Sequence, residues 1–325
     1  MTEIFSERSF CDISGTWSKL LSKTAINTPF QLIEFLETWF SELGSGSDTH
    51  ILHATSKPME GIAPLRSRGP SFTFLGDQDV CDFADFLITP GNEIGFFGAL
   101  LDYLEDIQCR DLKLFSIPEE SLTLKILPAV ARERGYKVDV AKSDVVPGMG
   151  LPDSWDQFLS SLSKKNRHEL RRKFRRLGAV EGVAWLELTH PDEVQLSMDD
   201  FLRLLKLSGQ HKEEFLTPDR DRFFREVAYK FASGGFLRLF FLEINGQKVA
   251  AVMCFDYGNS RFLYNSGYDP EFRYYSVGLL LKAFSIQNAI ESGLNYYDFL
   301  RGGEPYKYDL GGIDRLVFNL NVEIY

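Results

Sequence analysis

The chain has 325 residues, of which 44% are hydrophobic and 25% charged, a composition typical of a soluble globular protein with room for two domains. Its formal net charge of −10 argues against general nucleic-acid binding, and no stretch approaches the roughly 20 apolar residues that span a bilayer. The first residues carry acids where a signal peptide needs positive charge, so we expect a cytoplasmic protein.

Cysteine and histidine are too scattered to form a metal or disulfide framework. The four cysteines include no CxxC pair, and the five histidines show no HExxH or other ligand spacing. We therefore expect reduced thiols and no metal.

The first half alternates predicted helices and strands, which is typical of an α/β layer. Helices are predicted at 29–43, 96–107 and 122–134, and strands at 51–54, 61–65, 72–75, 112–115 and 137–141, with a turn at 57–60. The proline- and glycine-rich run Pro147–Pro152 then predicts a domain boundary. It separates a first domain of residues 1–150 from a second of 151–325, whose last strand is able to pack onto the first.

The second half has clearer signals. Asp153 or Ser154 is expected to cap a helix that ends near Leu162. Asn245-Gly246 is a strong hairpin signal within a three-strand meander. The remaining predicted helices are 192–208, 219–232 and 276–292, and the predicted strands are 183–188, 236–244, 248–255, 261–268, 295–299 and 313–324.

A basic helix is predicted over Lys164–Arg176, with Leu170, Phe174 and Leu177 forming its apolar stripe. Its basic residues are Lys164, Lys165, Arg167, Arg171, Arg172, Lys173, Arg175 and Arg176, against the single acid Glu169. Three interpretations are open: a solvated face, pairing with acids of the first half, or binding of a polyanion. The polyanions considered are coenzyme A, an acidic acyl carrier protein, a lipid-linked phosphate and tRNA.

Three antiparallel strands, a helix that begins at a glycine-bearing loop, and one more strand form the central run of the GNAT acyltransferase fold. In that fold the strands before and after the helix part, and the pantetheine arm of coenzyme A bonds to the exposed main chain. The helix N-terminus faces the pyrophosphate. Here Arg273, Ser276, Val277 and Gly278 are the predicted donor-binding residues. They match the usual Gln/Arg-x-x-Gly-x-Gly/Ala loop in part, with Ser276 at the first glycine.

Further motifs resemble the CelD-like GNAT acetyltransferases of cellulose and exopolysaccharide biosynthesis, which are similar to the tandem Fem peptidyltransferases. These motifs are Ser-Lys-Lys-Asn-Arg-His-Glu-Leu-Arg-Arg within 155–176, Tyr264–Pro270, Ser276-x-Gly278 and Tyr297–Lys307. They cover roughly 151–307; the first half resembles a degenerate GNAT-like domain, mainly through Gly61–Leu65. The resemblance implies an α/β fold of tandem GNAT-like domains with mixed, mostly antiparallel sheets flanked by helices.

The resemblance also implies acyl transfer from acetyl-CoA or another acyl-CoA to a saccharide, cell-envelope or small-molecule acceptor. An attacking amine with a reference pKa of about 10.4 is mostly protonated at pH 7, a deficit of about 4–5 kcal/mol that a base must offset. Asp298 is the predicted base, with anchoring of Arg301 or Lys307 as the alternative. Tyr268 and Lys307 complete the predicted catalytic set, while Arg301, Glu304 and Tyr306 are predicted to bind the acceptor.

Other donors and a non-catalytic role are the alternatives. An aminoacyl-tRNA, as in the Fem enzymes, or an acyl carrier protein would use the basic segment Lys164–Arg176. The incomplete glycine loop instead fits a pseudo-acyltransferase that only binds a nucleotide or carrier protein.

Overall fold

A computed structural model describes residues 4–7, 10–54 and 61–324. The turn predicted at 57–60 lies outside these residues. The chain divides into two compact units: unit 1 holds the described residues up to Val145 and those from Arg315 onward, and unit 2 is Val146–Asp314. In the part of the chain described, no helix is both long and apolar enough to cross a membrane.

Unit 1 is a sheet of strands in the order β1-β2-β3-β4-β6-β13-β7, flanked by helices. Strands β2, β3 and β4 form an antiparallel meander, and β4 pairs in parallel with β6. Its strands are β1 Ile4–Glu7, β2 Asp48–Ala54, β3 Gly61–Arg68, β4 Ser71–Phe74, β5 Leu87–Ile88, β6 Asp111–Pro118, β7 Lys137–Gly150 and β13 Ile313–Glu323. Its helices are α1 Phe10–Leu21, α2 Ile33–Leu43, α3 Glu93–Asp106 and α4 Leu122–Glu133.

One prediction for the first half needs correction. The helix predicted over 29–43 is interrupted at Leu32, whose extended backbone separates a 3₁₀ turn at Pro29–Gln31 from α2. The run Pro147–Pro152 continues β7 as far as Gly150, and the domain boundary placed there stays a prediction. Gly148 is needed there because a side chain would collide with the hydroxyl of Tyr296 on the adjacent strand. This glycine therefore marks close packing rather than a turn.

Unit 2 is built on the strand order β7-β12-β11-β10-β9-β8. Its strands are β8 Val183–Leu188, β9 Leu237–Ile244, β10 Gln247–Tyr257, β11 Ser260–Tyr268 and β12 Tyr296–Asp298. Its helices are α5 Trp155–Ser161, α6 Lys164–Gly178, α7 Pro191–Leu207, α8 Gln210–Phe215, α9 Pro218–Ser233, α10 Val277–Glu291 and α11 Pro305–Asp309. The predicted meander is confirmed, and Asn245 and Gly246 form its first turn with positive φ angles of 52° and 76°.

The apolar face of the meander is covered by α10. Val277, Leu280, Leu281 and Ile286 on this helix are all fully buried. Each such side chain contributes about 1.5–3 kcal/mol to folding, so packing against the sheet fixes where α10 begins. On β11, a side chain at Gly267 would collide with the main chain of Leu204 and Leu205, so this glycine lets α7 approach the strand.

The basic helix α6 begins at Ser163, whose hydroxyl accepts a hydrogen bond from the N–H of Asn166. Leu170 and Leu177 of its predicted apolar stripe are buried, and Phe174 packs at the edge of the same core. Before it, Ser154 rather than Asp153 caps α5. The capping residues thus lie where the sequence predicted helix starts.

Candidate active site

Strands β11 and β12 part after three paired residues. Ser260, Arg261 and Phe262 lie opposite Tyr296, Tyr297 and Asp298, and β11 then continues to Tyr268 paired with β10 but no longer with β12. After Asp298 the chain stays with β7, because the N–H of Phe299 donates to the carbonyl of Pro147 at 2.9 Å. The gap that the sequence predicted between these two strands is therefore present.

The main chain of β11 that faces this gap is already partly bonded. The N–H of Asp269 donates to the carbonyl of Val249 on β10, so in the antiparallel alternation the main-chain groups of Ser266 and Tyr268 point away from β10. At Ser266, the N–H donates to the side-chain oxygen of Asn265 at 2.9 Å, and the carbonyl accepts from the Lys212 ammonium at 2.5 Å. A ligand that bonds to Ser266 must displace these side chains.

Helix α10 begins beside this gap. Ser276, the residue before it, has a left-handed φ of 58° and ends the 3₁₀ turn Pro270–Tyr275. A Cβ atom on Gly278 would lie 3.1–3.3 Å from atoms of Tyr268, so Gly278 lets the first turn of α10 lie close to that ring. The missing side chain of Gly278 thus makes room for Tyr268, and its role in the approach of a phosphate stays a prediction.

A cavity of about 270 Å³ opens at the start of α10. Its lining residues are Lys173, Tyr268, Arg273, Ser276, Val277, Gly278, Leu279, Lys282 and Tyr306. The structure thus brings together all four predicted donor-binding residues with Tyr268 and Tyr306. Asp298, Arg301, Glu304 and Lys307 do not line this cavity.

The basic helix reaches the same cavity. Lys173 lines it, and the guanidinium of Arg176 donates to the hydroxyl of Ser276 at 3.0 Å. Arg176 also lies over the Tyr274 ring, 4.5 Å from its centroid. Two sequence motifs that were considered separately, the basic helix and the loop before α10, therefore form one cationic surface.

Asp298 and Lys307 hold the turn that follows β12. Asp298 is buried, and its carboxylate accepts the N–H of Leu300 at 2.8 Å. The buried Lys307 ammonium donates to the carbonyls of Leu300 and Arg301, at 2.9 and 2.5 Å, and lies 3.0 Å from the Glu304 carboxylate. These three acceptors match the three N–H donors of an ammonium group, so Lys307 is a positioning residue in this arrangement. Whether Asp298 also removes a proton from an acceptor stays a prediction.

The turn also places Glu304 and Arg301. Gly302 has a φ of 105°, and its missing side chain leaves space for the carboxylate of Glu304. Arg301 is half-buried, and its carbonyl is one of the Lys307 acceptors. Two of the three residues predicted to bind the acceptor, Arg301 and Glu304, are therefore held in one loop by Lys307.

Two further lysines, Lys212 and Lys282, belong to this region and were not predicted from the sequence. Lys282, on α10, is buried with its ammonium 3.3 Å from the carbonyl of Gly278 and 4.7 Å from the centroid of the Tyr306 ring. Burial, together with the nearby charge of Lys212, lowers the pKa of Lys282 to about 7. Burial likewise lowers the pKa of Lys212 to about 8 and raises that of the Tyr306 phenol. The sequence signal for Lys282 was its position as a single lysine in the apolar run 277–286, which indicates a buried amine.

Comparisons with known proteins agree with this geometry. Residues 164–308, all within unit 2, match the sequence model of the acetyltransferase (GNAT) domain. The crystal structure of FemX matches with a TM-score of 0.66 and 13% identity, over 94% of this chain and 95% of FemX. A search of curated protein sequences found no significant match.

Two other solved structures are similar. One is the C-terminal domain of a putative lysylphosphatidylglycerol synthetase from Agrobacterium fabrum, with a TM-score of 0.60 and 12% identity over 97% of this chain and 93% of that domain. The other is a tandem GNAT protein from the clavulanic acid biosynthesis pathway, with a TM-score of 0.55 and 14% identity over 98% of each chain. These likenesses show the fold: the chain has a mixed α/β, GNAT-like architecture, as the sequence predicted.

Proposed function

We propose that unit 2 transfers an acyl group from an acyl-CoA thioester to an amine or hydroxyl acceptor. The parting of β11 from β12 beside the start of α10 is the observation that carries this proposal. A strand without a partner on one side offers main-chain groups to an extended ligand, as sheet edges do for peptides. A cavity lined by Tyr268, Lys282 and Tyr306 lies next to it.

The donor's phosphates are assigned to the loop before α10. Helix α10 has 15 residues, and its first N–H groups and positive dipole end favour an anion. Arg273 and Lys173 add positive charge at the cavity wall. In this assignment Ser276, Val277 and Gly278 supply main-chain donors, and Arg176 holds Ser276 in place.

The proposed chemistry is direct attack without a covalent acyl-enzyme. The acceptor nitrogen or oxygen attacks the thioester carbonyl, its proton passes to Asp298, and the C–S bond breaks. Asp298 is the last residue of β12 that pairs with β11, so it lies where the gap begins. Tyr268 would donate a proton to the leaving thiolate, since it lines the cavity and its hydroxyl forms no hydrogen bond among the residues described.

The acceptor is assigned to the loop after β12. Arg301 and Glu304 are held there by Lys307, and Tyr306 lines the cavity. The resemblance of Tyr297–Lys307 to the CelD-like acetyltransferases extends the proposal to acetyl-CoA as donor and a saccharide of exopolysaccharide biosynthesis as acceptor. Small molecules and other cell-envelope precursors belong to the same proposal.

A macromolecular donor is the second candidate, favoured by the exposed face of α6. Glu169 pairs with Arg172 at 2.7 Å, and Arg167 bonds to the carbonyl of Ser160. Among the described residues, the exposed side chains of Lys164, Lys165, Arg171 and Arg175 have no ion-pair partner. Such a face suits an acidic acyl carrier protein or an aminoacyl-tRNA, whose binding is salt-sensitive.

Native mass spectrometry of freshly purified protein tests the proposal, because a bound acyl-CoA adds a defined mass. Transfer that requires acyl-CoA and survives ribonuclease would support it and exclude the tRNA donor. Binding of coenzyme A without transfer to any amine or hydroxyl acceptor would instead favour a non-catalytic protein. If the donor is an acyl carrier protein, the double variant Arg171→Glu/Arg175→Glu should no longer bind that carrier protein, while its binding of coenzyme A stays unchanged.

A further inference from the structure

The gap region of unit 2 contains two amines whose charged forms have no carboxylate partner. The ammonium groups of Lys212 and Lys282 donate to the main-chain carbonyls of Ser266 and Gly278, and neither forms an ion pair with an acid among the described residues. Glu304, the carboxylate whose charge acts on both lysines, is already paired with Lys307 at 3.0 Å. Buried charges without partners are costly and are usually compensated.

The three lysines also differ in how many of their donors are used. Lys307 has an acceptor for each of its three N–H groups. Lys212 and Lys282 each have one hydrogen-bond acceptor among the described residues, the carbonyls of Ser266 and Gly278. An ammonium group carries three donors, so both amines can bind further oxygen atoms.

The position of these amines indicates what they would bind. The Lys212 ammonium lies on the carbonyl of Ser266, in the gap between β11 and β12, and Lys282 lines the cavity beside Tyr268 and Tyr306. The donor's phosphates are assigned to the mouth of the cavity, at Ser276 and Arg273. Lys282 lies one helical turn further along α10 than Gly278, and Lys212 lies beside β11 at Ser266.

We propose that Lys212 and Lys282 together bind an anionic oxygen group of the acceptor, a carboxylate or a phosphate, placed next to its reacting amine or hydroxyl. This inference rests on the proposed function, because the acceptor is defined by it. The acceptor is then an acidic molecule, such as an amino acid, a uronic acid or a sugar phosphate, rather than a neutral one. Bound there, the anion supplies the negative charge that the protein lacks between these amines.

Lysine titration by NMR tests the site without requiring activity. Protein labelled with ¹³C at lysine Cε is titrated with pH in chloride, acetate or phosphate at equal ionic strength, and Lys212→Gln and Lys282→Gln assign the two signals. We expect acetate or phosphate, but not chloride, to raise the pKa of both amines, because a bound anion favours their charged forms. The anion that raises the two pKa values more shows whether the site prefers a carboxylate or a phosphate. The signal of Lys307 should not respond, and Lys206→Gln, which removes an exposed charge, is the matched control.

Two outcomes would overturn the inference. One is that the pKa of each lysine is the same in chloride, acetate and phosphate. The other is a rise caused by coenzyme A but not by pantetheine, which would assign the amines to the donor's phosphates. Calorimetric titration of coenzyme A in the same buffers separates the two proposals. If coenzyme A binds but neither lysine pKa responds to the anions, the anion site is contradicted and the acyl-CoA proposal stands. If the lysine pKa values respond but coenzyme A does not bind, the acyl-CoA proposal is contradicted and the anion site stands.

Kinetics with paired acceptors give a second readout once a substrate is known. The acidic acceptor and its amide or dephosphorylated analogue differ only in the anion. We expect Lys282→Gln to raise KM for the acidic acceptor about ten- to a hundredfold, equivalent to roughly 1.5–3 kcal/mol for a charge-assisted hydrogen bond, and to raise KM for the neutral analogue much less. Equal losses for both acceptors would contradict the anion site.

Discussion

The guanidinium of Arg176 donates a 3.0 Å hydrogen bond to the hydroxyl of Ser276, which joins the end of the basic helix to the residue that begins α10. Ser276 has a left-handed φ of 58°, a conformation that a non-glycine residue adopts only when its surroundings hold it. The Nε atom of Arg176 is buried and has no hydrogen-bond partner among the described residues. Arg176 therefore stabilises the loop beside the proposed phosphate site.

Replacing Arg176 with Gln should weaken coenzyme A binding about tenfold, corresponding to roughly 1.4 kcal/mol. The substitution removes both the Ser276 contact and a positive charge next to the loop. Arg175→Gln is the matched control, because it removes the same charge from an exposed neighbouring position. Calorimetry of both variants measures the difference, and equal Kd values for the two would show that the contact does not support donor binding.

Lys282→Met should stabilise the protein most at low pH. The folded-state pKa of Lys282, about 7, lies below its ordinary value of 10.5. Between these two values the unfolded chain binds more protons, so the wild-type protein gains stability as pH rises through that window and loses it as pH falls toward 7. Below pH 7 it carries the full cost of the buried charge, on the order of a few kcal/mol.

Thermal unfolding of the wild type and Lys282→Met at about pH 6 and about pH 10 measures this difference. We expect the variant to have the higher Tm at the lower pH and a smaller advantage at the higher pH. Lys206→Met, at an exposed position, should show no such dependence. A constant difference in Tm across the window would mean that Lys282 keeps its ordinary pKa.

Gly267→Ala should destabilise unit 2 by about 2–4 kcal/mol, because the added methyl group collides with the main chain of Leu204 and Leu205. Gly178→Ala is the control. Nothing lies within 4 Å of a Cβ at Gly178, at the end of α6, so alanine there should be neutral or stabilising by up to about 1 kcal/mol. Chemical denaturation of both variants distinguishes them; equal stabilities would contradict the close approach of α7 to β11.

Asp298→Asn tests the proposed base while keeping the turn. Asparagine retains a side-chain oxygen for the N–H of Leu300 but cannot take up a proton. If Asp298 is the base, kcat should fall about a hundredfold or more while coenzyme A affinity is retained. Circular dichroism and calorimetry confirm folding and donor binding in the same preparation. An unchanged kcat would assign Asp298 to the turn alone.

The sequence predicted most elements of unit 2 because their signals are local. The periodicity of α7, α9 and α10, the hairpin at Asn245-Gly246 and the capping serines each depend on neighbouring residues. The order of meander, loop, helix and strand was therefore readable, and with it the gap between β11 and β12. The helices α1, α8 and α11 were missed, and α8 and α11 are only six and five residues long, too short for a periodic signal.

Contacts between distant segments were decided only by the tertiary structure. Arg176 and Ser276 are 100 residues apart, and no spacing rule connects them. The continuation of β7 through Gly148 depends on the Tyr296 side chain of another strand. The environment of Lys282 likewise comes from Lys212, Glu304 and Tyr306, which belong to other segments. Local sequence fixes backbone conformation, whereas burial, charge balance and pKa depend on which segments pack together.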